Sequence, residues 1–209
     1  LARYEPDPMR YVLSAIMPET SDSDFSWAEY VRRNNDELVA TYGNLVHRSL
    51  TLTVNNFHSR VPTPATLGEA DKTLLATAKY HFQQVGKNIE ECHFRQALLT
   101  IMKLAQESNK YLNIKAPWHD ITNNRADAAT TLWTCLTVIN CLKTAFYPFM
   151  PSSSDKLHNM LGLPGKIADG GWSWDPEALQ PGYLLPQPKP LFQKFDQALI
   201  AEETHRIGR

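Results

Sequence analysis

Leu132-Trp133-Thr134-Cys135-Leu136-Thr137-Val138-Ile139-Asn140-Cys141-Leu142-Lys143-Thr144-Ala145-Phe146 is the stretch that decides the fold. Its apolar residues, Leu132, Trp133, Leu136, Val138, Ile139, Leu142 and Ala145, fall on most sides of a helix. A helix of that kind has to be surrounded. The stretch therefore predicts the central helix of a bundle, running from about Asn124 to Phe146. Pro148 and Pro151 end it, and Ser152-Ser153-Ser154-Asp155 predicts a cap for a short helix to about Leu161.

Moving toward the N-terminus, the break at Ala116-Pro117-Trp118 separates this helix from one over about Phe94–Leu112, which carries Leu98, Ile101, Met102, Ala105 and Tyr111. Another is predicted over about Glu69–Glu90, with Leu74, Leu75, Ala78, Phe82 and Val85 facing inward. Pro62 and Pro64 mark a loop before it. The first bundle helix is predicted from Trp27 to about Asn55, opened by a Ser26/Glu29 capping box with Phe25 and Tyr30 at the staple positions. Its stripe is Leu38, Tyr42, Leu45, Ser49 and Leu52. Upstream, Asp7-Pro8 predicts an N-cap and N1 for a short helix through Ile16, apolar on most sides, with too little sequence before it to supply a partner. The chain starts at Leu1 without Met, inside structured-looking sequence, which suggests a fragment of a longer protein.

Beyond Gly162 the pattern changes. Trp172-Ser173-Trp174, then Pro181, Pro186, Pro188 and Pro190, describe an extended, proline-stiffened tail with apolar anchors Tyr183, Leu184, Leu185, Leu191 and Phe192. Asp196–Arg209 has weak signals for a terminal amphipathic helix. The expected architecture is all-α: a bundle of about five helices (26–162), preceded by a connecting segment (1–25) and followed by the tail (163–209).

Composition bounds the function. The 209 residues carry 21 Lys plus Arg against 22 Asp plus Glu, a net charge of −1. The balance is local as well, with 13 basic and 13 acidic groups in residues 1–115. Binding to nucleic acid by bulk charge is therefore excluded. No run approaches about 18 apolar residues, so no membrane span is expected, nor does the start read as an export signal. Cys92, Cys135 and Cys141 are odd in number and read as reduced, core thiols of an intracellular, cytoplasmic protein.

Catalytic and metal signatures are absent. Cys135 and Cys141 lie on different faces of one helix, and adjacent Cys92-His93 is poor chelating geometry, so no metal site is expected. His47, His58, His81, His93, His119, His158 and His205 show no partner pattern. Nucleophile elbow, P-loop and dinucleotide signatures are missing, and the paired carboxylates sit on polar helix segments. No catalytic residue is assigned.

Two features suit RNA. Asn44 and Arg48 stack one turn apart on the polar side of the first bundle helix, with Thr41 and Asn55 near the same direction. An amide and a planar guanidinium together can hydrogen-bond base edges, although spacing alone favours an ordinary solvated face. At the helix junction, Pro117 holds the backbone beside Trp118, a candidate platform for an unpaired base. Physics alone favours Trp118 as a core lid.

The ordered landmarks resemble the C-terminal part of methionyl-tRNA synthetases. Asp7-Pro8-Met9-Arg10-Tyr11-Val12-Leu13 is similar to the family's segment after its KMSKS loop. Ser23-Asp24-Phe25-Ser26-Trp27 resembles its "DxDFSW" element. Asn34-Asn35-Asp36-Glu37-Leu38 followed by Gly43-Asn44-Leu45-Val46-His47-Arg48 resembles its "N-x-[DE]-L…GNLVxR" helix, and Asn109-Lys110-Tyr111 with Ala116-Pro117-Trp118 its "N-[KR]-Y…PW" element. Pro148-Phe149-Met150-Pro151, Leu161-Gly162 and Pro190-Leu191-Phe192 match later landmarks. The resemblance covers about residues 3–195.

It implies a class I synthetase anticodon-binding domain that reads the CAU anticodon loop of tRNA(Met). Asn44 and Arg48 would bond anticodon bases, while Trp118, set by Pro117, would stack on the first of them, cytosine. His47 replaces the Asn common before the Arg, and Leu112-Asn113 replaces an Ile–acid pair. The HIGH and KMSKS motifs, the methionine pocket and the zinc knuckle lie upstream in the family. This stretch alone would thus bind no ATP or zinc and would not charge tRNA; its partners would be the tRNA and the enzyme's catalytic domain, with no DNA and no membrane. The Pro-Leu-Phe segment would pack toward that catalytic domain, and Leu191 and Phe192 would be exposed without it. Rival readings are the anticodon domain of a cysteinyl, valyl or leucyl enzyme, and a helical protein-interaction scaffold.

Overall fold

The computed structural model describes residues 3–19 and 24–207; Ser23 of the "DxDFSW" resemblance and the final two residues of the chain lie outside them. The fold is an all-α bundle with an extended C-terminal tail. Its elements are α1 (Pro6–Ala15), α2 (Trp27–Arg33), a π-helical segment (Asn34–Gly43), α3 (Asn44–Asn56), α4 (Glu69–Glu90), α5 (Phe94–Lys115), α6 (Pro117–Asn123), α7 (Arg125–Phe146), α8 (Pro151–Met160), a short 3₁₀ turn (Ile167–Gly170) and α9 (Ala198–Ile207).

Helix α7 is central, as its composition requires. From Ala128 to Phe146 every residue except Trp133 is buried. Helices α3, α4, α5 and α8 pack around it, and the Asn124 side chain caps its start by accepting from the Asp127 amide. Burying so many large aliphatic side chains, each contributing about 1.5–3 kcal/mol, makes α7 the main source of cohesion.

The predicted first bundle helix is continuous but not uniform. Between α2 and α3 the backbone widens into the π-helical segment. Gly43 sits at its end: a Cβ there would lie 2.9 Å from the Leu38 carbonyl oxygen and 3.5 Å from the Phe192 ring. A periodicity of 100° per residue cannot show this, because the hydrogen-bond register changes within the run. At the start, Ser26 accepts from the Glu29 amide (3.1 Å), and Phe25 and Tyr30 meet with ring centroids 6.4 Å apart. The return half of the box is replaced, since the Glu29 carboxylate accepts from Arg32 and Arg33.

Other boundaries differ for local reasons. Helix α1 starts two residues earlier than expected, with Glu5 as N-cap and Pro6 at N1. That releases Asp7, which is buried and accepts from the Ser153 amide (2.5 Å). A residue distant in sequence thus does the capping expected of the serines at α8, which begins at Pro151. The apolar side of α1 finds its partners downstream, with Tyr11 edge-on to Phe146 and bonded through its hydroxyl to Glu37 (2.5 Å).

The tail is part of the bundle. Val61 donates to the Tyr183 carbonyl (2.9 Å) and Leu185 to that of Ser59 (2.7 Å), forming a single antiparallel bridge. Trp172 stacks on Phe82, with centroids 4.6 Å apart. Leu191 and Phe192 are buried, contrary to the expectation that they would be exposed in this chain. Gly43, with no side chain, admits the Phe192 ring beside Tyr42. Cys92 also departs from expectation. It is exposed in the α4–α5 turn at φ 60°, whereas Cys135 and Cys141 are core thiols.

Candidate nucleic-acid interface

Asn44 and Arg48 project from the first two turns of α3, just past the π-helical segment. They face Gln106, Asn109, Lys110 and Asn113 of α5 across an open groove of about 560 Å³. The π-helical segment is tied to the far wall there: Asn109 Nδ2 donates to the Thr41 carbonyl (2.9 Å) and to that of Ala105 (3.1 Å). Asn44 is exposed, and within the described residues its amide makes no side-chain hydrogen bond. No carboxylate lines the groove among the described residues, while Arg48 and Lys110 supply positive charge.

Arg48 connects the two predicted elements. Its Nη2 donates to Asn113 Oδ1 (3.0 Å), and its guanidinium carbon lies 5.3 Å from the centroid of the Trp118 ring. The cation–π contact and the hydrogen bond fix the plane of the fork and leave most of its five N–H donors for other acceptors.

The junction that presents Trp118 is built from backbone geometry. Helix α5 ends where Ala116 takes the left-handed conformation (φ 42°, ψ 53°), and Pro117 starts α6 at N1. Pro117 is buried beneath the turn, and Trp118 is 38% exposed. Exposure of that size contradicts a core lid. Two contacts hold the end of α5, one buried and one half-buried. Tyr111 donates to Asp71 Oδ1 (2.5 Å), whose other oxygen accepts from the Gly68 amide (2.7 Å) at the start of α4. Lys115 pairs with Asp127 at the start of α7 (2.7 Å). Burial, reinforced by the Asp71 carboxylate, pushes the Tyr111 phenol well above its ordinary range, so it remains a donor.

The structure thus brings Asn44, Arg48 and Trp118 to one surface and sets Pro117 as its backbone support. His47 points elsewhere and lines a neighbouring groove with Leu191 and Phe192. Gln106, Lys110 and Asn113 were missed as wall residues, although Gln106, Asn109/Lys110 and Asn113 recur at helical spacing. That polar stripe was legible; what it faced was not. The arrangement offers amides, a guanidinium and an exposed indole, with no nucleophile–base pair. Among the described residues no group of three His, Cys, Asp or Glu side chains could hold a metal ion.

The chain matches the family model "Anticodon binding domain of methionyl tRNA ligase" over residues 61–208 and the model "tRNA synthetases class I (M)" over residues 1–50. It is 46% identical over 208 residues to a methionine–tRNA ligase of Dehalococcoides mccartyi, covering 100% of this chain and 37% of the relative. A methionine–tRNA ligase of Thermomicrobium roseum is 39% identical over 231 residues, covering 99% of this chain and 40% of the relative. A solved structure, Mycobacterium tuberculosis methionyl-tRNA synthetase bound by methionyl-adenylate, superposes with a TM-score of 0.83 at 29% identity, over 92% of this chain and 38% of that one. The chain spans no more than two-fifths of the length of these relatives. Matched across the whole of its length in sequence and almost all of it in fold, the chain belongs to the methionyl-tRNA ligase family.

Proposed function

We propose that this chain binds tRNA and reads the CAU anticodon loop of tRNA(Met) for a methionine–tRNA ligase. The observation that supports this most directly is the Arg48 guanidinium, held by Asn113 and laid over Trp118 at the rim of an open, carboxylate-free groove. Asn44 and Arg48 hydrogen-bond base edges, and the exposed ring of Trp118, with Pro117 behind it, stacks on an unpaired base, the cytosine in first position. The near-zero net charge suits recognition by stacking and base edges more than by phosphate attraction.

In this reading the chain works beside the ligase's catalytic domain in the cytoplasm and has no DNA or membrane partner. Methionine activation, ATP and any zinc belong to the share of the relatives' length that it does not span. Family membership and the absence, among the described residues, of a helix long and apolar enough to cross a membrane support this.

The test is titration of a CAU stem-loop and a scrambled-loop control at fixed salt, with Arg48→Ala and Trp118→Ala beside the parent. CAU should bind more tightly. Arg48→Ala should remove about 1–3 kcal/mol of discrimination, and Trp118→Ala a stacking contribution of about 1–3 kcal/mol, with melting temperatures nearly unchanged. Equal affinity for both loops in the parent would refute the reading.

A further inference from the structure

A cavity of about 470 Å³, sharing no lining residue with the α3–α5 groove, lies between α7, α8 and the loop that follows α8. Lys143 of α7 lines it and is only 5% exposed. Its ammonium donates to Asn140 Oδ1 (2.7 Å) and meets His158 Nδ1 at 3.2 Å. Both partners are neutral. His158 Nε2 lies 3.1 Å from the Pro164 carbonyl, so Nε2 carries the proton and Nδ1 accepts from Lys143. Burial lowers the His158 pKa, which keeps the ring uncharged at neutral pH.

A buried ammonium with two neutral acceptors is unusual. Among the described residues no carboxylate comes within ion-pair distance of it. The carboxylates in the cavity wall are engaged by their own loop: Asp169 accepts from the Lys166 amide (3.3 Å) and Asp175 from the Glu177 amide (2.9 Å). Two donors are accounted for, and the third N–H and the charge remain. Burial also lowers the Lys143 pKa to about 8, as expected where no anion supports the charge. The wall also has an apolar and aromatic part, Leu163, Ile167, Trp174 and Tyr183, beside the polar Thr144, Lys166 and Ser173. The space far exceeds one water, whose share of liquid volume is about 30 Å³.

We propose that this cavity binds a small ligand with an oxyanion head and an apolar body, its head on the Lys143 ammonium and its body against Trp174 and Tyr183. The site is separate from the groove, so its occupant is independent of the RNA reading. An oxyanion supplies the missing countercharge through a charge-assisted hydrogen bond, and the apolar wall gains by covering hydrocarbon.

The probe is para-fluorobenzoate, titrated into the full chain and followed by fluorine NMR. Saturable binding at one site is expected, about tenfold or more weaker for the neutral para-fluorobenzamide and for Lys143→Met, the usual weight of a hydrogen bond to a charged group. Ala178→Trp, at an exposed position in the cavity wall, should weaken it similarly while leaving the fold and stem-loop binding unchanged. If Lys143→Met fails to fold, the amide comparison and Ala178→Trp decide. No saturable binding, equal affinity for the amide, or unaltered affinity in Ala178→Trp would overturn the site. Inorganic phosphate binding more tightly than the benzoate would overturn the apolar body.

Discussion

Two polar pairs ten residues apart on the same long helix have opposite fates. Asn34 is fully buried and Asn35 half-buried, and their amides are used by the tail: Asn34 donates to the Gln193 carbonyl, while Asn35 donates to the Phe195 carbonyl and accepts from its amide (all 2.9 Å). Asn44 and Arg48 face an open groove and keep most of their donors. Both pairs include an asparagine amide, the first at the start of the π-helical segment and the second on α3. The segment laid against each decides its use, so a polar helix residue becomes a clamp or the wall of an open groove according to its tertiary neighbour. The clamp is also what makes the proline-rich tail part of the bundle.

The largest effect is expected where the tail meets the bundle. Phe192→Ala removes a buried ring beside Gly43 and Tyr42 and should cost about 3–5 kcal/mol of stability, read as a lower denaturant midpoint. A midpoint within error of the parent would show that the tail folds apart from the bundle.

At the clamp, Asn34→Ala removes a fully buried amide and its hydrogen bond to the carbonyl of Gln193, an exposed residue. A loss of about 0.5–1.5 kcal/mol is expected, the net worth of one hydrogen bond, with stem-loop affinity unaltered. Loss of affinity without loss of stability would move Asn34 from clamp to reader.

On the groove side, Asn113→Ala removes one of the two contacts that set the Arg48 fork. Stability should stay within about 0.5 kcal/mol, as for other surface changes. CAU affinity should fall by about 0.5–1.5 kcal/mol, the net worth of one hydrogen bond. An effect equal to that of Arg48→Ala would mean Asn113 touches RNA itself.

The smallest effect concerns Glu29, near the clamp. Hydrogen bonds from Arg32, then Arg33, hold its carboxyl down to about 2 from an ordinary 4.5. Because the folded value is the lower one, the associated stability is present above pH 4.5 and is lost as pH falls toward 2. Partial exposure limits it to about 0.2–1 kcal/mol. Glu29→Gln should therefore narrow the gap between the pH 6 and pH 3 denaturant midpoints; an identical gap in both proteins would remove Glu29 from the acid response.

Much of this molecule is determined by local sequence. The 4-and-3 spacing of apolar residues defines α4 over Glu69–Glu90, because burial of side chains has the period of the backbone that carries them, and apolar residues on most sides define α7 as the surrounded helix. The Asn44/Arg48 spacing and Pro117-Trp118 were also legible, since one-turn stacking and a fixed proline φ are short-range properties. The resemblance to a family supplied their meaning.

Long-range packing decided the rest. Gly43, at the end of the π-helical segment, lets the Phe192 ring approach, a contact between residues about 150 positions apart. Asp7 caps α8 across the bundle, a pairing that no local capping rule contains. Asn113 reaches Arg48 because α5 packs beside α3, and Trp118 reaches it because the left-handed turn at Ala116 redirects the chain into α6. Local sequence sets which groups each helix presents; the close packing of helices and tail sets which of those groups meet, because directional contacts form only where the backbones are brought within reach.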